Sequence, residues 1–448
     1  MQSEKNQLEE AAYLGLDHAM KLGCEDASVI AALSNENQVR FANNSITLVN
    51  SVRNITIDLY LAMSKKRIVG SSFNPTEKGI MHFVENLVSS CKALPESPDY
   101  VPLPKGPFHY NPTNGNYDPG VIDAPYVEFT KEAVDRALSS GAVRASGSLN
   151  SDVTDLFIVT TGGVNGFDRS SRVLLNIRAF ADDNSSGHGL SCSSYLSDFK
   201  PGEAGERAGD YAKRALNSKT VSEGAYNIIF SPTVVANILP VASSASAYAI
   251  ESGNSFLIDK LGQSVGVENL NIEDVGVSEG GLGGRIYDDE GVPTGRNRII
   301  QDGVFTTMLH NTSTAKKFGK DRSTGNAGII APRPNSIVYS SGDSDFEEMV
   351  RETKDGIFVT NNWYTRYQNI RTGEYSTVPR DAAFRIESGE LREPVSGFRL
   401  SDSVPRQLSA IELVSDKREW IKWWEVSTPT LAPVMMIKDV RVTRAVGS

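Results

Sequence analysis

Apolar residues recur along the chain in two periods, and the switching between them lays out the elements. Leu8, Ala11, Ala12, Gly15 and Ala19 repeat at three- and four-residue spacings, which predicts a helix over about 4–22 stopped by Gly23. Period two then takes over. The stretch 27–33 reads as a strand, 38–41 and 45–49 as short strand candidates, and Ile55, Ile57, Leu59 and Leu61 alternate with polar partners. Ser64-Lys65-Lys66 predicts a hairpin turn leading back along 67–71, and Thr76 an N-cap for a second helix with Ile80, Val84, Leu87, Val88 and Cys91 on its inner face. The same order returns: a helix over about 127–140 ending at Gly141, strands at 156–160 and 173–180, a turn at 182–187, a strand over 189–195 and a helix from Pro201 to about Leu216. This is an internal structural repeat.

Eight of the twenty prolines fall between Pro95 and Pro125, which predicts a linker or extended arm. After residue 222 short β-branched segments dominate, with Asp302-Gly303 as a hairpin turn between 298–301 and 304–305, a similar hairpin over 384–391, and an alternating strand over 435–443. The expected class is α+β: two helix/antiparallel-strand/helix units, 1–94 and 126–221, separated by a proline-rich linker, 95–125, and followed by a larger β-rich domain, 222–448, with one central helix.

That helix is the stretch around which the rest is read. A strand at 226–230 runs into Ser231-Pro232, serine as N-cap and proline at the first helical position. A helix to about Glu251 follows, with Val234, Val235, Ile238, Leu239, Ala242, Ala245 and Ala249 as its buried stripe and Pro240 as a kink. After the proline come Ala242-Ser243-Ser244-Ala245-Ser246-Ala247, side chains small enough to admit another backbone or a ligand, without a histidine, cysteine, carboxylate or lysine among them.

Composition changes the picture in a few respects. At 448 residues the chain has room for roughly two to four domains. A net charge of −10 with no basic run argues against a nucleic-acid backbone as the main partner. Cys24, Cys91 and Cys192 are few, odd in number and scattered, which supports neither a disulfide framework nor a Cys-x-x-Cys metal site. The first residues carry no signal-peptide core, and no apolar run is long enough to span a bilayer. A cytoplasmic protein without a membrane partner is the expectation.

Candidate chemistry is thin. Asp288, Asp289 and Glu290 form the densest acidic cluster and could hold a hard cation or supply a general base, although Asp-Glu-Gly before Pro293 is also turn chemistry. The glycines of 280–284 lack the lysine and spacing of a phosphate loop and read as a flexible loop over a cleft. No Gly-x-Ser-x-Gly elbow occurs, and the five histidines are scattered; His188 and His310 lie where each could meet a substrate, without local partners. Trp420, Trp423 and Trp424 read as an interface anchor, with a core cluster or a stacking platform for a sugar or base as the other options.

Taken together, Phe230-Ser231-Pro232, the run 253–262, Asp288-Asp289-Glu290-Gly291-Val292-Pro293-Thr294, Ser323-Thr324-Gly325-Asn326-Ala327 and Arg371-Thr372-Gly373-Glu374-Tyr375-Ser376 resemble the TldD/PmbA family, known as modulators of DNA gyrase. The resemblance implies a cytoplasmic two-component metallopeptidase acting on unfolded peptides, whose catalytic subunit carries His-Glu-x-x-x-His on the helix and a cysteine ligand near the C-terminus. This chain reads Pro-Val-Ala-Ser-Ser-Ala over 240–245 and has no cysteine after Cys192. It resembles the PmbA/TldE type, the partner without the metal set, forming a homodimer or a heterodimer with a TldD-type catalytic paralogue. No catalytic residue, metal ligand or cofactor is expected. Pro240, Val241, Ser243 and Ser244 mark the candidate cleft, Asp288, Asp289 and Glu290 the loop near it, and Trp420, Trp423 and Trp424, close to where the catalytic subunit would supply its cysteine, a filled pocket at an interface. Two alternatives stay open: a stand-alone metal-dependent hydrolase using Asp288–Glu290, and a peptide-binding module that takes up an extended chain by strand addition.

Overall fold

Two long hairpins, rather than a series of short strands, carry the first half of the chain. The structure, a computed structural model, describes residues 2–110, 116–277 and 281–444. Residues 111–115 of the proline linker and Gly280 of the glycine run lie outside that range. α1 (Gln2–Lys21) leads into β1 (Asp26–Ala42), β2 (Ser45–Met63), β3 (Lys66–Ser72) and α2 (Glu77–Ala93). The predicted strand pieces at 27–33 and 38–41 are one strand, as are those at 45–49 and 55–61, paired from Asp26↔Ala62 to Ala42↔Ser45. Their middles are polar on both faces and so lose the alternation that sequence reading relies on. Cross-strand hydrogen bonds such as Gln38 Nε2 to Asn150 Oδ1, 2.8 Å, hold them instead. Both tight turns use paired positive-φ residues, Asn43-Asn44 and Ser64-Lys65.

The order then repeats as α3 (Tyr126–Ser139), β4 (Arg144–Thr160), β5 (Asn165–Phe180), β6 (Ser186–Ser193) and α4 (Pro201–Arg214). The two units share one sheet of order β3-β2-β1-β4-β5-β6, joined where β1 and β4 pair antiparallel. Alternation decides its faces. Val29, Leu33, Ile57, Leu59 and Val159 pack under α1 and α2, while Val39, Leu149, Val173 and Ile177 pack under α3 and α4. At Gly205 a Cβ would lie 2.0 Å from the carbonyl oxygen of Ala133, so α3 and α4 touch backbone to backbone. The opposite face of the sheet, through Ile30, Tyr60 and Ile158, meets Tyr287 and Ile329 of the C-terminal part.

The strands beyond residue 222, with the short Lys219–Thr220 at one edge, form a 14-stranded mixed sheet. Its spine is the strand Val426–Arg444, antiparallel to Gly224–Phe230 and Ile411–Trp423 and parallel to Ser336–Tyr339. The expected central helix is three short ones: α5 (Pro232–Ile238), α6 (Val241–Ser244) and α7 (Ala247–Glu251). Ser231 caps α5 as expected, its Oγ accepting from the Val234 N–H. Pro240 ends that helix, since it has no N–H to give and its ring crowds the preceding turn. The second break has a distant cause. Leu309 donates its N–H to the Ala245 carbonyl (2.8 Å) and accepts from the Ala247 N–H (2.9 Å), a strand-like pairing that no continuous helix could make. Among the described residues no helix is long and apolar enough to cross a membrane.

Candidate functional site

The small side chains after Pro240 admit a backbone rather than a ligand. Val241, Ala242, Ala245 and Ala247 are fully buried in the C-terminal core, where the chain at Leu309 lies against 245–247. Pro240 and Ser244 are half-buried and Ser243 is exposed. The carbonyl of Ser244 is taken by Ser255 Oγ at 2.6 Å, and Ser246 Oγ donates to the Pro332 carbonyl at 2.9 Å. A metal of the kind the family resemblance implies needs imidazole, thiolate or carboxylate donors at this place, and the segment offers two serine hydroxyls. Among the described residues no three His, Cys, Asp or Glu side chains come together as a ligand set. The residues present do not fit such a metal.

The acidic turn lies across two loops from this segment, linked to it through 309–314 and 326–333. Its three carboxylates diverge. Asp288 turns inward, where Oδ1 accepts from the N–H groups of Glu290 (3.0 Å) and Val292 (2.9 Å) and Oδ2 from that of Ala327 (2.9 Å). Glu290 accepts from the N–H and the hydroxyl of Thr312. Burial raises the pKa of both acids, and for Asp288 the neighbouring Glu290 adds to the rise. Asp289 is gripped by two guanidiniums, Arg285 and Arg333, the latter at 2.9 Å. No pair of these carboxylates is left to share a cation or a water. Asp288 is the fastener between the turn and the Ser323–Ala327 segment, whose Asn326 in turn binds the buried Asp274 at 2.7 Å.

Only Asp289 of the three borders open space. With Arg285, Arg333 and Ile330 it walls a cavity of about 460 Å³, whose other side is the face of β1, β2 and β3 at Ser28, Asp58, Tyr60 and Val69. Ser28 Oγ donates to the Asp289 carbonyl at 3.0 Å, tying the two walls. Arg285, Arg333 and Tyr60 were not legible as site residues, because the loops carrying the two arginines meet the sheet that carries Tyr60 only in the fold. The glycine run beside this cleft is pinned rather than flexible over its described part. Ser194 and Ser336 bond the carbonyls of Gly281 and Leu282, and at Gly284, φ 78°, a Cβ would fall 1.5 Å from the Gly276 carbonyl oxygen.

The tryptophans separate. Trp423 is buried in the same core as Val241, Trp420 lines a surface hollow and holds the Cys192 thiol on its carbonyl, and Trp424 stands exposed in the turn between the last two strands. Trp363, unremarked in the sequence, completes the group, edge-on to Trp424 at 5.4 Å. The two histidines read as possible substrate contacts are buried instead. His188 bonds Asn176 at 2.9 Å and lies 4.8 Å from the Trp423 ring, and His310 bonds Thr314. In neither case does solvent reach the ring, and burial pushes both pKa values down to about 4.

The profile of the PmbA/TldA metallopeptidase central domain matches residues 121–216, and that of the C-terminal domain matches 223–444. The chain belongs to the PmbA/TldD family. A metalloprotease of Methanocaldococcus jannaschii is 31% identical over 215 residues, 46% of this chain and 46% of that protein. The metalloprotease PmbA of Escherichia coli O157:H7 is 32% identical over 200 residues, 44% of this chain and 42% of that one. The chain spans about half the length of the curated relatives it matches. Two solved structures share the PmbA/TldD fold over nearly the whole chain. A candidate modulator of a DNA gyrase from Thermotoga maritima superposes with a TM-score of 0.85 at 22% identity, covering 97% of this chain and all (100%) of that one. TldE from Thermococcus kodakarensis superposes at 0.85 with 18% identity, covering 98% and 100%.

Proposed function

We propose that this PmbA/TldD family member is a non-catalytic, TldE-like subunit of a cytoplasmic metallopeptidase complex. It pairs with a second copy or with a metal-bearing TldD-type paralogue and helps enclose unfolded peptide. One observation carries the reading: where the family resemblance places two imidazoles and a glutamate, this chain has proline, valine, alanine and serine, and the backbone at Leu309 packs against the end of that stretch, at 245–247. The cleft walled by Tyr60, Arg285, Asp289 and Arg333 supports a binding role, because it offers paired charges and backbone groups without a free base or nucleophile. The engagement of Asp288, Asp289 and Glu290 by separate partners disfavours a stand-alone hydrolase built on them.

Mixing the purified chain with its metal-bearing paralogue tests the reading. Co-elution and a change in cleavage of unfolded peptides are expected, with no stoichiometric metal in the isolated chain by elemental analysis. Unchanged cleavage without co-elution, or one equivalent of bound metal, overturns it.

A further inference from the structure

Where the first sheet meets the strand Asn362–Asn369, a cavity of about 500 Å³ is walled by Arg40, Arg178, Trp363 and Trp424. Trp424 is 58% exposed and still fixed in orientation, packed edge-on against Trp363 (5.4 Å, 82°) and Trp423 (5.5 Å, 73°). Arg380 lies over the Trp363 ring at 5.2 Å. Arg178 is already neutralised by the buried Asp381 at 2.6 Å. Arg40, on the pocket wall, and Arg380, outside the lining and against the Trp363 ring, are not: among the described residues neither guanidinium has a carboxylate partner. An unpaired cation on the pocket wall beside a held, exposed indole, with a second against the neighbouring Trp363, is unusual in a chain of net charge −10.

We propose that this pocket binds a peptide carboxylate, with an apolar or aromatic side chain of the same peptide laid against Trp424. Arginine suits a carboxylate through its planar fork, and an indole held at right angles to a second ring offers a preorganised apolar wall. The rim supplies the rest of the fit. β3 covers β2 only from Ile57 to Met63, so the edge of β2 around Thr47 and Leu48, beside the pocket, is open to an extended chain. Charge separates the peptide from a polynucleotide. A single carboxylate responds to the local cations within a Debye length of about 8–10 Å, whereas a polyanion meets the repulsion of the whole acidic molecule.

The inference rests on the peptide reading of the family site, and the test keeps the two apart. Fluorescein-labelled, unstructured decapeptides ending in phenylalanine are titrated into the full chain as the free acid, as the amide, and as an amide with glutamate before the phenylalanine; a thymidine decanucleotide is the fourth probe. The free acid, the glutamate amide, or both should bind about tenfold more tightly than the plain amide at low salt, and the difference should shrink as salt is added. Which of the two binds tells whether the chain terminus or an acidic side chain supplies the carboxylate. Arg40→Gln should abolish the preference, and Trp424→Ala should weaken every peptide by about tenfold. Both residues are exposed, and Arg380→Gln repeats the charge test from the loop after Pro379, beside Trp363. Equal binding of acid and amide forms, a preference that survives both arginine changes, or tighter binding of the oligonucleotide overturns the inference. If the paralogue's cleavage depends on this chain but no carboxylate preference is found, only the pocket fails. Carboxylate-selective binding with no effect on a paralogue sinks the subunit reading alone.

Discussion

His188 is held neutral by its surroundings. Its ring is sealed between Asn176 and Trp423, and although Asp381 favours the protonated form, burial outweighs it, with Arg178 and Arg207 adding to the depression. Above pH 6.5 the ring is uncharged in both folded and unfolded chains. Between pH 6.5 and about 4 the unfolded chain takes up a proton that the folded one refuses, so stability falls as the pH falls, by about 3 kcal/mol at the lower end. Asp288 and Glu290 act in the opposite sense: their folded pKa values are raised, so the fold holds those protons more tightly as the pH drops. Comparing wild type with His188→Gln isolates the histidine, because the acids are unchanged between them. The variant should lose most of the acid-side slope in a plot of melting temperature against pH; parallel curves would mean that the fold does not depress the His188 pKa. None of this was legible in the sequence, where His188 sits in a glycine turn and its partners Asp381 and Trp423 are two hundred residues away.

The broken helix after Ser231 shows where element-level reading succeeds and where it stops. Serine, proline and the apolar stripe predicted the start of α5, and Pro240 predicted a kink in one helix where the chain instead breaks into three. What makes the interruption stable is tertiary: the tyrosine hydroxyls of Tyr339 and Tyr367 donate to the carbonyls of Leu239 and Ile238, the groups an α-helix leaves open at its end. Tyr339 is fully buried, and Tyr339→Phe removes one of two donors on the Leu239 carbonyl, which the Val241 N–H also bonds at 2.8 Å, so it should cost about 0.5–1.5 kcal/mol in chemical denaturation. Pro240→Ala should change little, since the tyrosine donors and the Leu309 pairing both survive it. A rise in helix content for Pro240→Ala by circular dichroism would show that proline alone interrupts the helix. The long strands failed in sequence for the converse reason. Ser34–Asn37 and Asn50–Asn54 carry polar side chains on both faces, so pairing with β4 and with each other, rather than burial, keeps them extended.

At the scale of the molecule, the repeated order of helix, strands and helix was legible, but the pairing of β1 with β4 that fuses the repeats was not, because strand partnership leaves no local mark. Nor was the seam with the C-terminal part, of which Tyr287 is the peg. Its ring is fully buried against Tyr110 at 5.3 Å among Ile30, Ile158 and Val164, and its hydroxyl donates to the Leu156 carbonyl at 3.1 Å. Removing the side chain leaves a large void at the junction and should cost about 3–5 kcal/mol. The four tryptophans, Trp363, Trp420, Trp423 and Trp424, all lie in the C-terminal part, several of them against the first sheet, so indole fluorescence follows that part and its seam while far-ultraviolet circular dichroism follows both parts. In wild type the two signals should unfold together, because the seam couples the sheets. In Tyr287→Ala they should separate, with part of the dichroism lost before or after the fluorescence. If the variant's curves stay coincident and only shift to lower denaturant, coupling resides in the ion pairs farther along the seam, Arg178 with Asp381 and Arg207 with Glu419. Those pairs flank the tryptophan pocket, so the same measurement on Arg207→Gln would then locate the joint there.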